Sequence, residues 1–267
     1  STVAHSIMRL LSGGNAKIEG KILFDGRTLM DCSEKEMESV RGKEIGMIFQ
    51  NPLDSLNPVY TVGNQVGKAI MLDKVEKQEA MRRAIELFQN VKMPDAKERA
   101  GSFPHELSGG MRQRVMIAMM LSRNPRLLIA DEPTTALDVT IEAQILEIIK
   151  ELKEQYNTAI LMITHNFGLV AEAADKIAVM YAGEVVESGD VFEIFERPMH
   201  PYTTLLMKAL PRKTKREGRL ETIEGSVPRI LDKKPGCRFA NRCPYAAELC
   251  RNRTPGETMV SETHRCR

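Results

Sequence analysis

Apolar residues recur along the chain in two rhythms. Ile45 to Phe49, Leu127 to Ala130 and Ala159 to Ile163 are short, nearly unbroken runs of the length of strands buried on both faces. Between the second and third run, Ile141, Ile145, Ile148, Ile149 and Leu152 are spaced to line one side of a helix. Ser1 to Leu11 shows the same helical spacing at Val3, Ala4, Ile7, Leu10 and Leu11, with Gly13-Gly14 closing the element. Ile18 to Leu29 predicts a hairpin that turns at Asp25-Gly26. Tyr60 to Lys97 is helical in pattern, with charged clusters such as Lys74 to Glu79 on solvated faces, and a further helix is predicted from about Gly109 to Arg123. Lys176 to Tyr181 adds a strand. Strand and helix thus alternate as in βαβ units, which predicts an α/β fold whose sheet is mostly parallel and covered by helices.

Composition narrows the class. The chain has 267 residues, 42% of them hydrophobic, enough for one large α/β domain and a smaller appendage. No apolar run approaches the roughly 20 residues that span a bilayer; the longest, Val115 to Leu121, lies between Arg114 and Arg123. A net charge of +2 gives no electrostatic case for nucleic acid. The first residues have no basic flank, long apolar core or cleavage-like run, which predicts a cytosolic protein. After His200-Pro201 the character changes: Lys208 to Arg219 is basic and reads as a solvated linker, and Cys237, Cys243, Cys250 and Cys266 crowd into the tail while Cys32 stands alone. In a reducing compartment that clustering points to metal before disulfides. The expected division is a main domain over 1–200, with a helical subdomain at about 58–125, and an appendage over 201–267.

Reactive side chains sit where the strands end. In an open parallel sheet, ligands bind beyond the carboxyl ends of the strands. Asp131-Glu132 follows four apolar residues, an arrangement in which one acid can hold Mg²⁺ while its neighbour polarises water; the plainer reading is a pair of acids near a helix start. His165 follows the Ala159 to Ile163 strand, where an imidazole can donate to a terminal phosphate oxygen or be merely structural. Ser108-Gly109-Gly110 opens a helix with two glycines that let backbone N–H groups approach an anion. A simple cap by Ser108 leaves those helix-weakening glycines unexplained.

Taken in order, these features resemble the nucleotide-binding subunits of ABC transporters. Leu107-Ser108-Gly109-Gly110-Met111 is similar to their signature motif, Leu127 to Asp131 with Glu132 to Walker B and the catalytic glutamate, Gln50 to the Q-loop, Ala136 to Asp138 to the D-loop, and His165 to the switch histidine. The resemblance implies a P-loop NTPase core with an antiparallel β subdomain and a helical insertion. It implies that Gln50, Asp131 and Ser1 hold Mg²⁺, that Glu132 activates water, and that His165 contacts the γ-phosphate of ATP. Ser1 and Thr2 would close a phosphate loop whose glycines and lysine do not occur in these residues, so the 267 residues alone are expected to hydrolyse ATP poorly. Ser108, Gly109, Gly110 and Asp138 would serve the interface with a second ATPase subunit, and Asn51 to Tyr60 the contact with transmembrane permeases.

Arg197 to Thr203, Leu205 to Pro211, Asn51 to Pro58 and the cysteine tail are similar to the oligopeptide, dipeptide and nickel importer branch. That branch works at the cytoplasmic face of the membrane with a separate solute-binding protein. Four thiolates fit a [4Fe–4S] cluster or structural zinc by number, or stay as uncommitted thiols; the absence of a close Cys-x-x-Cys pair and the resemblance favour the cluster on Cys237, Cys243, Cys250 and Cys266. Two other readings remain: a soluble ABC ATPase acting on nucleic acid or ribosomes, and a non-hydrolytic iron–sulfur regulatory subunit.

Overall fold

The computed structural model describes residues 1–11, 17–50, 55–135, 137–209, 222–228 and 235–267. Gly13-Gly14, Asn51 to Asp54, Ala136 and Leu210 to Arg219 lie outside the described residues. The chain divides into two compact units, Ser1–His165 and Asn166–Arg267.

In the first unit, the helix α1 (Thr2–Ile7) precedes a hairpin of β1 (Leu23–Phe24) and β2 (Arg27–Thr28). Asp25 and Gly26 both take positive φ, 52° and 77°, the tight turn that matches the twist of paired strands. Then follow α2 (Glu34–Val40), β3 (Ile45–Ile48), α3 (Val62–Met71), α4 (Lys77–Asn90), α5 (Ala96–Arg99), α6 (Gly109–Leu121), β4 (Leu127–Asp131), α7 (Val139–Tyr156) and β5 (Ala159–Ile163). Strands β3, β4 and β5 pair in parallel with β4 in the middle, Ile45 opposite Leu127 and Leu127 opposite Ala159.

Alternation along these strands sorts the two faces of the sheet. Ile45, Met47 and Ile129 join Ala4, Met8, Leu29, Met37 and Val40 in one core. Ile48, Leu128 and Ala130 face the other, larger core built from α3, α4, α6 and α7. Both faces are covered, which is why the strands read as continuous apolar runs. The stripe Ile145, Ile148, Ile149 and Leu152 is buried as its helical spacing predicts, each side chain contributing about 1.5–3 kcal/mol relative to exposure. α7 ends at Asn157 in the left-handed region, φ 49°. The Val115 to Leu121 run forms the heart of α6, and no helix among the described residues is long and apolar enough to cross a membrane.

Helix α1 ends sooner than its spacing predicts. Arg9 turns left-handed at φ 51°, and the Leu10 N–H donates to the His5 carbonyl. Helix α6 likewise stops at Leu121, two residues short of the expected Arg123.

The second unit runs α8 (Phe167–Ala173), β6 (Lys176–Tyr181), β7 (Glu184–Asp190), α9 (Val191–Glu196), α10 (Pro201–Lys208), α11 (Glu248–Asn252), β8 (Thr258–Met259) and β9 (Arg265–Cys266). Its sheet has the order β6-β7-β9-β8 and is antiparallel throughout. This corrects the placement of Lys176 to Tyr181 in the parallel sheet. The strand exists, but Ala182 and Gly183 at φ 49° and 81° make a two-residue turn, and such a short link can only return the chain antiparallel. Residues on both sides of position 200 share this sheet, since β9 pairs with β7 through Cys266 opposite Glu187.

Glu187 is 1% exposed, and its carboxylate accepts from the Met199 N–H at 2.6 Å and the His200 N–H at 3.1 Å, with His264 Nε2 at 2.7 Å. Tyr181, Tyr202 and Phe239 pack as an aromatic trio, with ring centroids 4.7 to 5.4 Å apart.

Candidate functional site

The carboxyl ends of β4 and β5 bring the predicted acids and histidine together. Asp131 ends β4, opposite Ile163 of β5, and its side chain is buried. One carboxylate oxygen is in contact with the amino nitrogen of Ser1, so the residue that begins α1 stands directly beside the acid. An open cleft of about 450 Å³ borders both, with Phe49, Gln50, Met116 and Met120 in its walls.

Glu132 leaves the strand in the left-handed region, φ 47°, unusual for a residue with a side chain. Its N–H still donates to the Ile163 carbonyl at 2.8 Å, which anchors the turn to β5. The carboxylate then meets three side chains. Gln50 Nε2 donates to Oε2 at 2.7 Å, the Thr135 hydroxyl donates to the same oxygen at 2.9 Å, and His165 Nδ1 lies 3.3 Å from Oε1. The Thr135 hydrogen bond is the largest influence holding the carboxyl below its usual range; His165 and Gln50 add to it while burial opposes. An ionised, oriented carboxylate 26% open to solvent can take a proton from a bound water.

Sequence reasoning named Gln50, Asp131, Glu132 and His165, and the structure gathers all four. It did not name Thr135, whose only signal was the Pro-Thr-Thr that follows the acid pair. Nor did it name Gln113, which donates from α6 to the Pro133 carbonyl at 2.6 Å, or the Thr134 hydroxyl, which donates to Glu142 of α7 at 2.7 Å.

The Ser108 turn opens α6. Ser108 is exposed and its hydroxyl accepts from the Met111 N–H at 3.3 Å, so the simple helix cap is real. Gly110 has a further cause. A Cβ there would lie 2.7 Å from Ile141 Cγ2 of α7, too close for two carbons, whereas one on Gly109 would meet Leu137 at 3.5 Å, an ordinary contact. Asp138 begins α7 without capping it through its side chain, and the next residue, Val139, is 81% exposed. Thr2 is exposed in the first turn of α1, and Ala136 lies outside the described residues.

The Asp131 carboxylate, the Ser1 hydroxyl and the Gln50 side-chain oxygen are donors of the hard kind that Mg²⁺ selects, and the three residues border the same cleft, so they fit that ion. The tail differs. Cys237 neighbours Cys243 and Cys250, and its N–H donates to the Cys250 carbonyl at 2.7 Å, but burial raises its thiol. Cys266 faces Glu187, and burial together with that negative charge pushes it up to about 11. Among the described residues no three histidine, cysteine or acidic side chains are placed to share a metal ion, so the arrangement does not fit the four-thiolate set that the resemblance implies. Cys32 is buried, with its thiol toward the Thr28 carbonyl.

A family profile described as "ABC transporter" matches residues 1–135, and one described as "Oligopeptide/dipeptide transporter, C-terminal region" matches residues 186–250. A probable peptide ABC transporter ATP-binding protein of Sinorhizobium fredii is 48% identical over 267 residues, 99% of this chain and 80% of that protein. The oligopeptide transport ATP-binding protein OppD of Bacillus subtilis is 49% identical over 267 residues, covering 99% and 75%. Its namesake in Salmonella typhimurium is 47% identical over 260 residues, covering 97% and 77%.

Among solved structures, the dimeric post-hydrolysis ATP-binding cassette MJ0796 bound to ADP and Pi matches with a TM-score of 0.62 at 27% identity, over 71% of this chain and 79% of that one. The cbiO1 structure from Clostridium perfringens, part of the transporter complex cbiONQ, gives 0.63 at 26% identity, over 76% of each. With the profile on half of the chain and relatives near one-half identity along almost all of it, the chain belongs to the ATP-binding proteins of ABC transporters, in their oligopeptide and dipeptide branch.

Proposed function

We propose that this protein hydrolyses ATP to drive an importer of oligopeptides or dipeptides, with Glu132 taking the proton of the attacking water. The observation that carries the assignment is the meeting of Gln50, Thr135 and His165 on the Glu132 carboxylate, one residue beyond Asp131. Three oriented partners keep that carboxylate ionised and fix its direction, the pre-organisation that hydrolysis of a phosphoanhydride needs. Asp131, Ser1 and Gln50 would hold Mg²⁺, which would neutralise charge on the phosphates. Thr2 extends the phosphate contact beside Ser1. His165, 78% exposed at its side chain, is free to turn from Glu132 to the γ-phosphate.

Residues 1–200 are assigned to ATP handling, with 58–125 as the helical subdomain and 201–267 as the tail. The exposed Ser108 turn with Gly109 and Gly110, and the Asp138–Val139 corner, suit a second ATPase subunit whose ATP they complete. Val59, 70% exposed, lies in the stretch assigned to the permeases. The protein then works on the cytoplasmic face of a membrane through those permeases, with an extracytoplasmic solute-binding protein choosing the peptide and no role for nucleic acid. The iron–sulfur reading of Cys237, Cys243, Cys250 and Cys266 rests on thiolate number and resemblance, apart from the geometry. Anaerobic protein with about four iron atoms per chain supports it, and iron-free, colourless protein removes it.

Replacing Glu132→Gln in the full-length subunit tests the assignment. ATP binding should survive while turnover falls at least about 100-fold, the loss of several kcal/mol of transition-state stabilisation. Turnover within about threefold of the parent, read by phosphate release, would give the proton to another base.

A further inference from the structure

Polar side chains rarely lie fully inside a helix-packed core, and Gln113 is only 1% exposed. It sits on α6, within one turn of Gly110, and its Nε2 donates to the Pro133 carbonyl at 2.6 Å. Pro133 is the residue after Glu132, whose backbone is already in the left-handed region. The loop is thus held at the Glu132 N–H by the Ile163 carbonyl and at the Pro133 carbonyl by Gln113, which limits how far its backbone can rotate.

The same short loop is gripped from α7, where Glu142 accepts from the Thr134 hydroxyl at 2.7 Å. Helices α6 and α7 are themselves in close contact at their first turns, because Gly110 leaves room only for Ile141. The Ser108 turn, α6 and the Pro133 carbonyl are thus joined by direct contacts.

We infer that Gln113 is a positioning residue that couples two nucleotide sites, linking the Ser108 turn, which meets the companion subunit's ATP, to the Glu132 that acts on this chain's own. The inference rests on the function proposed above, which gives Ser108 and Glu132 to different ATP molecules. The hydrogen bond is the physical link: buried from water, it has no solvent competitor, so shifting α6 without shifting Pro133 leaves a donor and an acceptor unmatched. ATP under the companion's phosphate loop thereby sets the Glu132 backbone before hydrolysis begins, a coupling between sites in the thermodynamic sense.

The test uses the full-length subunit assembled with its permeases and companion ATPase. Gln113→Met keeps the length and loses the donor. Turnover at saturating ATP should fall about tenfold with KM for ATP changed less than about twofold, and any ATP cooperativity of the parent should fall toward a Hill coefficient of about 1. Gln113→Glu supplies the second arm, since its carboxyl can donate to Pro133 only when protonated. Its turnover relative to the parent should rise as pH falls, by more than its thermal stability alone accounts for at each pH.

Parent-like turnover and cooperativity in a folded Gln113→Met subunit would overturn the inference, as would a turnover loss that only follows a lower denaturation temperature. Glu132→Gln separates the two claims. If it abolishes turnover while Gln113→Met changes nothing, the proposed function stands and the coupling fails; if Glu132→Gln itself turns over normally, the function fails first.

Discussion

Glu132 and Glu187, one in each unit, both meet three polar partners, yet they are built for opposite ends. Glu187 is buried, two of its partners are backbone N–H groups that cannot turn away, and the third is His264 at 2% exposure. Glu132 keeps solvent access, and all three of its partners are side chains, one of them largely exposed. Counting hydrogen bonds therefore does not separate a carboxylate that does chemistry from one that holds a fold. What separates them is whether the partners can let go.

The first way to break this comparison is at the clasp. Glu187→Ala strands a buried imidazole and two backbone donors, so it should destabilise the second unit by about 3–5 kcal/mol, seen as an earlier denaturant midpoint. A loss below about 1 kcal/mol would put Glu187 in the same class as Glu132.

A smaller effect sharpens the other side. Glu132 is held below the usual carboxylate range, so its proton-accepting form is present above that pKa and lost as pH falls through it. Thr135→Val removes the largest cause of the depression. The acid limb of the turnover profile should then move to higher pH, and turnover at neutral pH should fall by roughly fivefold, about 1 kcal/mol. An unmoved acid limb would free Thr135 of that role.

Smallest of all is the stability effect of Glu132→Gly, although it ends hydrolysis. Relief of the left-handed backbone offsets the added entropy of the unfolded chain, so stability should change by no more than about 1 kcal/mol in thermal denaturation. A large loss would mean that Glu132 is structural after all.

The comparison also explains what could be read from the sequence. Strands β3, β4 and β5 and the helix α7 were legible because burial on both faces, or on one helical stripe, writes directly into apolar spacing. Asp131, Glu132 and His165 were legible because they end such strands. Strand β7 was not read, since Glu184-Val185-Val186-Glu187-Ser188-Gly189-Asp190 is polar in pattern and its inward glutamate looks like a solvent-facing one. The pairing of β6 was misread because an apolar run does not state the direction of its neighbour; the Ala182-Gly183 turn did. Gln113 and Thr135 escaped because a single amide or hydroxyl gains meaning only from the atom it faces: Pro133 lies 20 positions from Gln113, and a threonine 3 positions after an acid is common in any loop.

Gly110 carries a constraint of its own kind. The side chain it lacks would collide with Ile141 of the same molecule, whatever any nucleotide or companion requires. Enlarging position 110 therefore forces the Ile141 side chain to shift, and trimming position 141 relieves that pressure, so the size of one position sets what the other can hold.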